Sequence, residues 1–133
     1  MGRAAVAYDL RFMKALGAAT TLMVSNLDRA LAYYKDVLGF TEDFRFGNYA
    51  GIKTGEVQVH LSQFGNPNSK PVGGGTMYIF CDEVDEYYRE ITAKGAKAQN
   101  PPKDYEYGMR DFIVEDPDGN FIGFGTRVRN TKA

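Results

Sequence analysis

The sequence predicts an α+β domain in which the pattern strand–helix–strand–strand–strand occurs twice. In each half, an alternating strand leads into a segment whose apolar residues recur at helical spacing, and three short alternating segments follow. A stretch rich in glycine, proline and asparagine joins the halves. A chain of 133 residues can supply one hydrophobic core but is too short for two. We therefore expect two βαβββ modules within a single domain.

The first module is predicted to span residues 16–64. It opens with the strand AATTLMV (18–24), after which Ser25 and Asn26 provide residue types that cap helices. Apolar residues at helical spacing follow, and a glycine then ends the helix. The spaced residues are Leu27, Leu31, Tyr34 and Leu38, the glycine is Gly39, and the later strands are predicted at 40–46, 48–53 and 56–63.

The second module is predicted to span residues 76–127, after the linker GNPNSKPVGGG (65–75). Its first strand, GTMYIFC (75–81), precedes a helix and three more strands. The helix carries Val84, Tyr88 and Ile91 at helical spacing and ends at Gly95, and the strands are predicted at 96–104, 109–115 and 120–126. We expect the domain to occupy residues 15–127, with residues 1–14 as a mobile extension and 128–133 as a tail.

Alternation within the strands separates a helix-covered face from an opposite, concave face. The side chains assigned to the core are Thr20, Leu22, Val24, Val57, Val59, Leu61, Met77, Ile79, Cys81, Ile122 and Phe124. Those assigned to the concave face are Ala19, Thr21, Met23, Gln58, His60, Ser62, Thr76, Tyr78, Phe80, Phe121, Gly123 and Gly125. The concave face therefore combines aromatic rings with glycines, which leave space close to the backbone.

The sequence DPDG (116–119) predicts the turn between the last two strands, because Asp, Pro and Gly occupy positions that a type I turn prefers. A simple four-residue turn pairs Phe112 with Gly123 and Arg110 with Gly125. Cross-strand partners share a face, so this register places Arg110 and Phe112 on the concave face. A bulge at the turn would shift the register and reverse that assignment.

The composition excludes several classes of protein. A hydrophobic share of 44% with 25% charged residues is typical of a folded chain and not of a disordered one. The net charge of −1 gives no drive toward nucleic acid or anionic membranes, and no apolar run approaches the roughly 20 residues of a membrane helix. Residues 15–126, however, carry 16 acidic and 10 basic side chains, a net charge of −6 that attracts cationic ligands weakly.

Two motifs carry a resemblance to a known family: VSNLDRALAYYKDVLGF after the first strand, and YGMRDFIVEDPDGNFIGFG near the end. Together with the paired modules, they resemble the vicinal oxygen chelate superfamily of glyoxalases, extradiol dioxygenases and bleomycin-resistance proteins. The resemblance covers residues 16–127 and implies an open, barrel-like concave sheet. It does not specify the reaction, because fold does not fix function.

The same resemblance implies where metal-using members hold their ion. In this sequence those four positions are Ala19, His60, Thr76 and Gly123. Only His60 has a side chain that ligates a metal well, whereas catalytic sites use about three protein ligands. The resemblance therefore predicts that Gly123 stands where the last metal carboxylate would be, and that the metal-dependent chemistry is absent.

The segment GFTEDFRFGNYAGI and the final motif resemble the bleomycin-resistance branch in particular. Its members carry no catalytic metal and bind a drug in clefts at a dimer interface. The resemblance implies a homodimer without cofactor that sequesters an aromatic or cationic small molecule. The candidate ligand-binding residues are His60, Tyr78, Phe80, Tyr105, Tyr107, Arg110, Phe112 and Gly123. Arg110 has a second interpretation, which is to brace the carboxylates of the DPDG turn.

An enzyme is the alternative: a glyoxalase-like lyase or isomerase, or an extradiol-type dioxygenase. His60 is the only histidine, so it would be the catalytic residue, and Glu56, Gln58 or Glu115 would have to complete a metal site. Metal-free catalysis by His60 and a tyrosine is a third possibility. The single cysteine, Cys81, excludes an internal disulfide, fits a reducing cytoplasm and is expected to be a buried hydrophobic residue.

Overall fold

The computed structural model describes residues 13–128 and confirms the α+β class. Most of the predicted extension (residues 1–12) and of the predicted tail (residues 129–133) lies outside the described residues. The elements in chain order are β1 (Ala19–Val24), α1 (Leu27–Ala32) continued by a π-helical turn (Tyr33–Val37), β2 (Thr41–Phe46), β3 (Tyr49–Thr54), β4 (Val57–Gln63), β5 (Thr76–Phe80), α2 (Val84–Ala93), β6 (Lys97–Ala98), β7 (Lys103–Asp104), β8 (Met109–Glu115) and β9 (Phe121–Arg127).

The first sheet has the strand order β1-β4-β3-β2. β1 runs parallel to β4 and places Thr21 opposite His60, while β3 runs antiparallel to β4 and places Gly51 opposite the same histidine. β2 is an edge strand with every residue exposed, and its register shifts between Glu42 and Phe44. Such an irregularity helps to keep an exposed edge from pairing with other chains.

The second sheet repeats this arrangement in the order β5-β9-β8-β6, with β7 also paired to β8. β5 runs parallel to β9, so that Tyr78 lies opposite Gly123. The strand predicted at 96–104 is instead two short strands, β6 and β7, because Pro101 and Pro102 between them have no N–H to donate to the ladder. The two sheets are not closed into a barrel, as the predicted open architecture requires.

The two helices begin and end where the sequence predicts. The Asn26 side chain caps α1 by accepting a hydrogen bond of 2.9 Å from the Arg29 amide, and Gly39 and Gly95 follow the two helical segments with positive φ angles. In the π-helical turn, the Leu38 amide donates to the Tyr33 carbonyl, five residues back. Within residues 13–128, neither helix is long and apolar enough to span a membrane.

One hydrophobic core serves both modules. It contains the alternating residues that the sequence assigns to the helix-covered face, including Leu22, Val59, Ile79 and Phe124, each at most 4% exposed. The helices supply Leu31, Tyr34, Val84 and Ile91 to the same core. Cys81 is half-buried and packs against this core.

The DPDG turn joins the second module to the first. Asp116 is buried and accepts a hydrogen bond of 2.9 Å from the Tyr34 hydroxyl on the π-helical turn. Asn120, fully buried, donates to the Met23 carbonyl at 3.0 Å and accepts from the Gly75 amide at 2.8 Å. Arg29 on α1 forms an ion pair of 3.1 Å with Asp118. The turn is therefore a structural joint between the two modules, in agreement with the predicted turn at this position.

The predicted register across this turn is wrong by one residue. Glu115 pairs with Phe121, Ile113 with Gly123 and Asp111 with Gly125. The loop between the paired ends holds three residues, 117–119, and Gly119 adopts a φ of 98°. A type I turn followed by a glycine in the left-handed region adds one residue compared with a simple four-residue turn. As a result, β8 presents the opposite set of side chains to the concave side.

Candidate functional site

The candidate site lies on the sheet faces turned away from the two helices, which we call the helix-free faces. In the first sheet this face carries Thr21, Phe44, Tyr49, Gly51 and His60, and in the second sheet Tyr78, Phe80, Asp111, Phe121, Gly123 and Gly125. Several of its aromatic rings reach solvent: Phe44, Phe46, Tyr78, Phe80 and Phe121 are all exposed, Phe46 and Phe80 most of all, at 84% and 75%. Large exposed apolar surfaces of this kind mark sites of binding or association.

On the first sheet, His60 is held in an aromatic surround. Its Nδ1 and the Tyr49 hydroxyl lie 2.8 Å apart in a hydrogen bond whose donor depends on the imidazole tautomer. The Tyr49 hydroxyl is also 3.4 Å from Thr21 Oγ1. The Phe44 ring packs edge-on against the imidazole, with centroids 5.2 Å apart, and lies over the backbone of Gly51. The histidine is therefore oriented by neighbours that carry no formal charge.

On the second sheet, Tyr78 fills the space that the glycines of β9 leave open. Its ring lies over Gly123 and Gly125, and a Cβ added at position 123 would come within 2.9 Å of Tyr78 Cδ1. The Tyr78 hydroxyl donates to Oδ2 of Asp111 at 2.8 Å, and the Tyr107 hydroxyl donates to the same oxygen at 2.8 Å. The carboxylate of Asp111, a residue only 5% exposed, is thus held by two phenols.

The negative charge of Asp111 disfavours ionisation of both phenols. The pKa of Tyr107 is raised to about 12, chiefly by the hydrogen bond from its hydroxyl to Asp111. The pKa of Tyr78 is raised further, by burial of the hydroxyl first and by its bond to Asp111 second. Both tyrosines therefore remain protonated donors throughout the physiological range.

The other predicted aromatic residues surround this cluster. The Phe80 ring packs edge-on against Tyr78 with centroids 5.2 Å apart. Tyr105 and Tyr107 stack in parallel at 5.2 Å, and Lys103 Nζ lies 5.1 Å from the centroid of the Tyr105 ring. The structure thus brings Tyr78, Phe80, Tyr105 and Tyr107 into one aromatic cluster.

Two predicted site residues lie on the other side of the sheet, because of the register error. Phe112 pairs with Phe124 and is 1% exposed in the core, where it stacks on that ring. Arg110 pairs with Thr126, and its guanidinium binds Asp85 of α2 and Asp104 of β7, each at 3.0 Å. The assignment of Phe112 and Arg110 to the concave face is wrong, and so is the alternative that Arg110 braces the DPDG turn.

Comparison with known proteins identifies the family. Residues 17–124 match the sequence profile of the glyoxalase/bleomycin resistance protein/dioxygenase superfamily. The chain belongs to this superfamily. The predicted resemblance is thereby confirmed over most of the domain.

Three relatives within the superfamily are informative. A bleomycin resistance protein of Geobacillus stearothermophilus is 28% identical over 131 residues, which cover 86% of this chain and 99% of the relative. The structure of TioX from Micromonospora sp. ML1 is 25% identical, with a TM-score of 0.74 over 86% of this chain and 100% of that one. TnmS3, an antibiotic binding protein from Streptomyces sp. CB03234, shares the fold at 22% identity, with a TM-score of 0.71 over 86% of this chain and 99% of its own.

The four positions implied by superfamily members that use a metal do not fit an ion in this chain. Ala19 and Thr76 are exposed at the starts of β1 and β5, His60 is bonded through Nδ1 to Tyr49, and Gly123 lies beneath the Tyr78 ring. Within residues 13–128, no three His, Cys, Asp or Glu side chains are grouped closely enough to hold a metal. The donor set at these positions amounts to one imidazole, which is insufficient for a stable site.

The side chains suggested as replacement ligands lie in different places. Glu56 is exposed in the β3–β4 turn, and Gln58 is exposed on the helix-free face two residues before His60. Glu115 does reach the helix-free face through the corrected register, but it pairs with Lys97 at 3.7 Å. None of them joins His60 in a cluster among the described residues.

Three residues of the site, Asp111, Tyr49 and Phe44, are not among those predicted from the sequence. The signal for Tyr49 was available, because the two-residue turn at Gly55 and Glu56 fixes β3 against β4 and brings Tyr49 onto the face of His60. Asp111 could be recognised only with the correct register, as an acidic residue between Met109 and Ile113 on the same strand face. Phe44 depends on the irregular pairing of β2, which the sequence does not reveal.

A separate cavity of about 300 Å³ lies on the helix-covered side. Its lining includes Cys81, Tyr87 and Phe124, with several carboxylates of α2 and the segment before it at its mouth. Burial of the Cys81 thiol, and secondarily the charge of Asp82, raises its pKa. Cys81 is therefore a poor nucleophile at neutral pH, consistent with a packing role.

Proposed function

We propose that this protein is a metal-free binding protein of the bleomycin-resistance type, which sequesters an aromatic or cationic small molecule. The observation that carries the proposal is the set of exposed aromatic rings on the helix-free faces. Phe80, for example, is 75% exposed. Aromatic surfaces with a few polar groups are typical of ligand pockets. The similarity to bleomycin resistance proteins over 86% of the chain supports the same function.

The proposal places the ligand in a cleft at the interface of a homodimer. In one chain, the aromatic rings of the helix-free faces are open to water, which is unfavourable for so much apolar surface. A second copy that covers these faces would bury the rings and leave a cleft with walls from both chains. Sedimentation analysis tests this part: a monomer at micromolar concentration, with and without ligand, contradicts it.

The proposal assigns no cofactor to the protein. Its support is the chemistry of the residues present, since the implied metal positions hold one imidazole that already has a partner. It also places the protein in the cytoplasm, which suits a chain with a single, unpaired cysteine.

Calorimetric titration of the metal-stripped protein with bleomycin tests the binding function directly. We expect saturable binding that Phe80→Ala weakens by about tenfold, because a ring that stacks on a ligand contributes on this scale. Phe64→Ala is the matched control, since Phe64 is similarly exposed, at 63%, but lies in the turn that follows β4. Equal loss in both variants, or no binding to the wild-type protein, contradicts the proposal.

The same titration with zinc, nickel, manganese and anaerobic ferrous ion tests the alternative enzyme class. The corrected register makes this test relevant, because Glu115 lies on the helix-free face of the second sheet, as His60 does on that of the first. Tight binding of one ion per subunit, abolished in His60→Ala, would contradict the metal-free proposal and support a lyase or dioxygenase. Binding that persists in His60→Ala would indicate an ion held elsewhere.

A further inference from the structure

The second helix-free face contains a buried carboxylate with no cation bound to it among residues 13–128. Asp111 is 5% exposed, and its two hydrogen-bond donors, Tyr78 and Tyr107, carry no formal charge. Neither a lysine nor an arginine in the described chain lies within 4.0 Å of this carboxylate. Buried charges in proteins are normally paired, because removal of an ion from water is costly.

The nearest basic candidates are directed elsewhere. Lys103 is the direct cross-strand neighbour of Asp111, but its ammonium lies over the Tyr105 ring. Arg110, adjacent in sequence, lies on the opposite side of the sheet and is occupied by Asp85 and Asp104. The fold thus leaves Asp111 without a counter-charge, although Lys103 is its cross-strand partner and Arg110 precedes it in the chain.

The surroundings of Asp111 suit an organic cation. Tyr78 and Tyr107 donate to one carboxylate oxygen, Oδ2, and no side chain in the described chain donates to Oδ1. Phe80 and Tyr105 extend the aromatic surface on either side. The position of Lys103 over Tyr105 shows that this surface already accommodates an ammonium group against a ring face.

We propose that Asp111 is the anionic anchor for a ligand that carries an ammonium group next to an aromatic ring. The ring stacks on Phe80 and Tyr78, and the ammonium binds the Asp111 carboxylate and supplies its missing counter-charge. This inference rests on the proposed binding function and narrows it, since it assigns the cationic part of the ligand to the second sheet. The first sheet, with His60 and Tyr49, would contact the uncharged part.

The test compares two probes of equal shape, 2-(aminomethyl)naphthalene as its ammonium salt and neutral 2-(hydroxymethyl)naphthalene, by calorimetry at low ionic strength. We expect the wild-type protein to bind the cation roughly tenfold more tightly, as a charge-assisted contact contributes on this scale. Asp111→Asn should remove this preference while keeping the affinity for the neutral probe. Glu106→Gln, which removes a charge from an exposed residue in the turn between β7 and β8, next to Tyr107, should keep the preference.

Lys103→Met provides a second, independent variant. If Lys103 competes for Asp111, its removal should strengthen binding of the cationic probe and leave the neutral one unchanged. Equal affinity of the two probes for the wild-type protein overturns the inference, and so does a preference that survives in Asp111→Asn with an unchanged melting temperature. Failure of both probes also overturns it, and the bleomycin titration then decides separately whether the binding function itself fails.

Discussion

In the two modules, the large side chain above the equivalent point of the sheet comes from different strands: from the last strand in the first module and from the first strand in the second. In the first module the large residue, His60, is on the last strand and the small one, Thr21, lies opposite on the first. In the second module the large residue, Tyr78, is on the first strand and the small one, Gly123, is on the last. In each module the larger side chain thus lies opposite a smaller one on the neighbouring parallel strand.

This exchange changes the meaning of Gly123. The family resemblance implies that the glycine stands at the place of a lost metal carboxylate, with an empty space above the strand. In the structure that space is occupied by the Tyr78 ring, whose hydroxyl reaches Asp111. The Tyr78 ring thus occupies the space that a side chain at position 123 would need. Substitutions that exchange the residues of the two modules test this relation.

The largest effect is expected from a histidine placed at the glycine. Gly123→His forces the Tyr78 ring from its position and separates it from Asp111, so we expect a loss of about 2–4 kcal/mol in the free energy of unfolding. Gly123→His combined with Tyr78→Thr reproduces the arrangement of the first module and should recover at least about 1 kcal/mol of that loss. Urea denaturation of the double-mutant cycle measures the coupling. If Gly123→His lowers the free energy of unfolding equally in the wild-type protein and in Tyr78→Thr, the side chains at positions 78 and 123 do not compete for the same space.

The next effect concerns the two tyrosine hydroxyls. Tyr78→Phe removes a donor to a buried carboxylate and should cost about 1.5–3 kcal/mol, whereas Tyr49→Phe removes a hydrogen bond to a half-buried imidazole and should cost about 0.5–1.5 kcal/mol. Chemical denaturation at neutral pH ranks the two variants. The reverse order would mean that the hydrogen bond from Tyr78 to Asp111 stabilises the fold less than the burial of Asp111 indicates.

A smaller difference is expected between two glycine-to-alanine variants. In Gly51→Ala the atoms nearest to the new methyl group belong to the Phe44 ring, which is 41% exposed and can swing outward, so the cost should stay below about 1 kcal/mol. In Gly125→Ala the new methyl group meets the Tyr78 hydroxyl and, at 3.0 Å, Asp111 Cβ, an atom fixed by the strand. The cost should therefore reach about 1–3 kcal/mol. Thermal unfolding of the pair is sufficient, and similar melting temperatures would contradict the distinction.

The smallest effect is an ionisation measured at one side chain. The Tyr107 phenol should titrate near pH 12 in the folded protein and closer to its ordinary value of 10.0 in Asp111→Asn. Because the folded-state pKa is the higher one, this contact contributes stability below pH 10 that is lost as the pH rises through about 12. Carbon-13 resonances of labelled tyrosine rings report the titration, and a phenol unaffected by Asp111→Asn would refute the hydrogen bond.

Much of the fold could be predicted because apolar alternation and helix signals agree with each other. Leu22, Val59 and Ile79 identify the core face without any knowledge of pairing, and Asn26 and Gly39 bound the first helical segment. The same alternation correctly placed His60 and Tyr78 on the opposite face. These features depend on residues close in sequence, where physical preferences are strong.

The acidic residue of the site, Asp111, could not be predicted, because its placement depends on one backbone angle. Gly119 in the left-handed region adds a residue to the loop, and that single residue exchanges Phe112 for Asp111 on the helix-free face. The same exchange removed Arg110 from the site. A pattern of residue types specifies a turn here, but it does not specify how many residues the turn contains.

The buried Asn120 has a consequence for how the chain is made. Its side chain holds the Met23 carbonyl on β1 from a position 97 residues later, and its neighbour Asp116 holds Tyr34 across 82 residues. During synthesis, the first strand and first helix therefore emerge from the ribosome long before these contacts can form. Contacts so distant in sequence form slowly, and until they form the partly folded chain exposes apolar surface. The final hairpin thus completes the first module as well as the second.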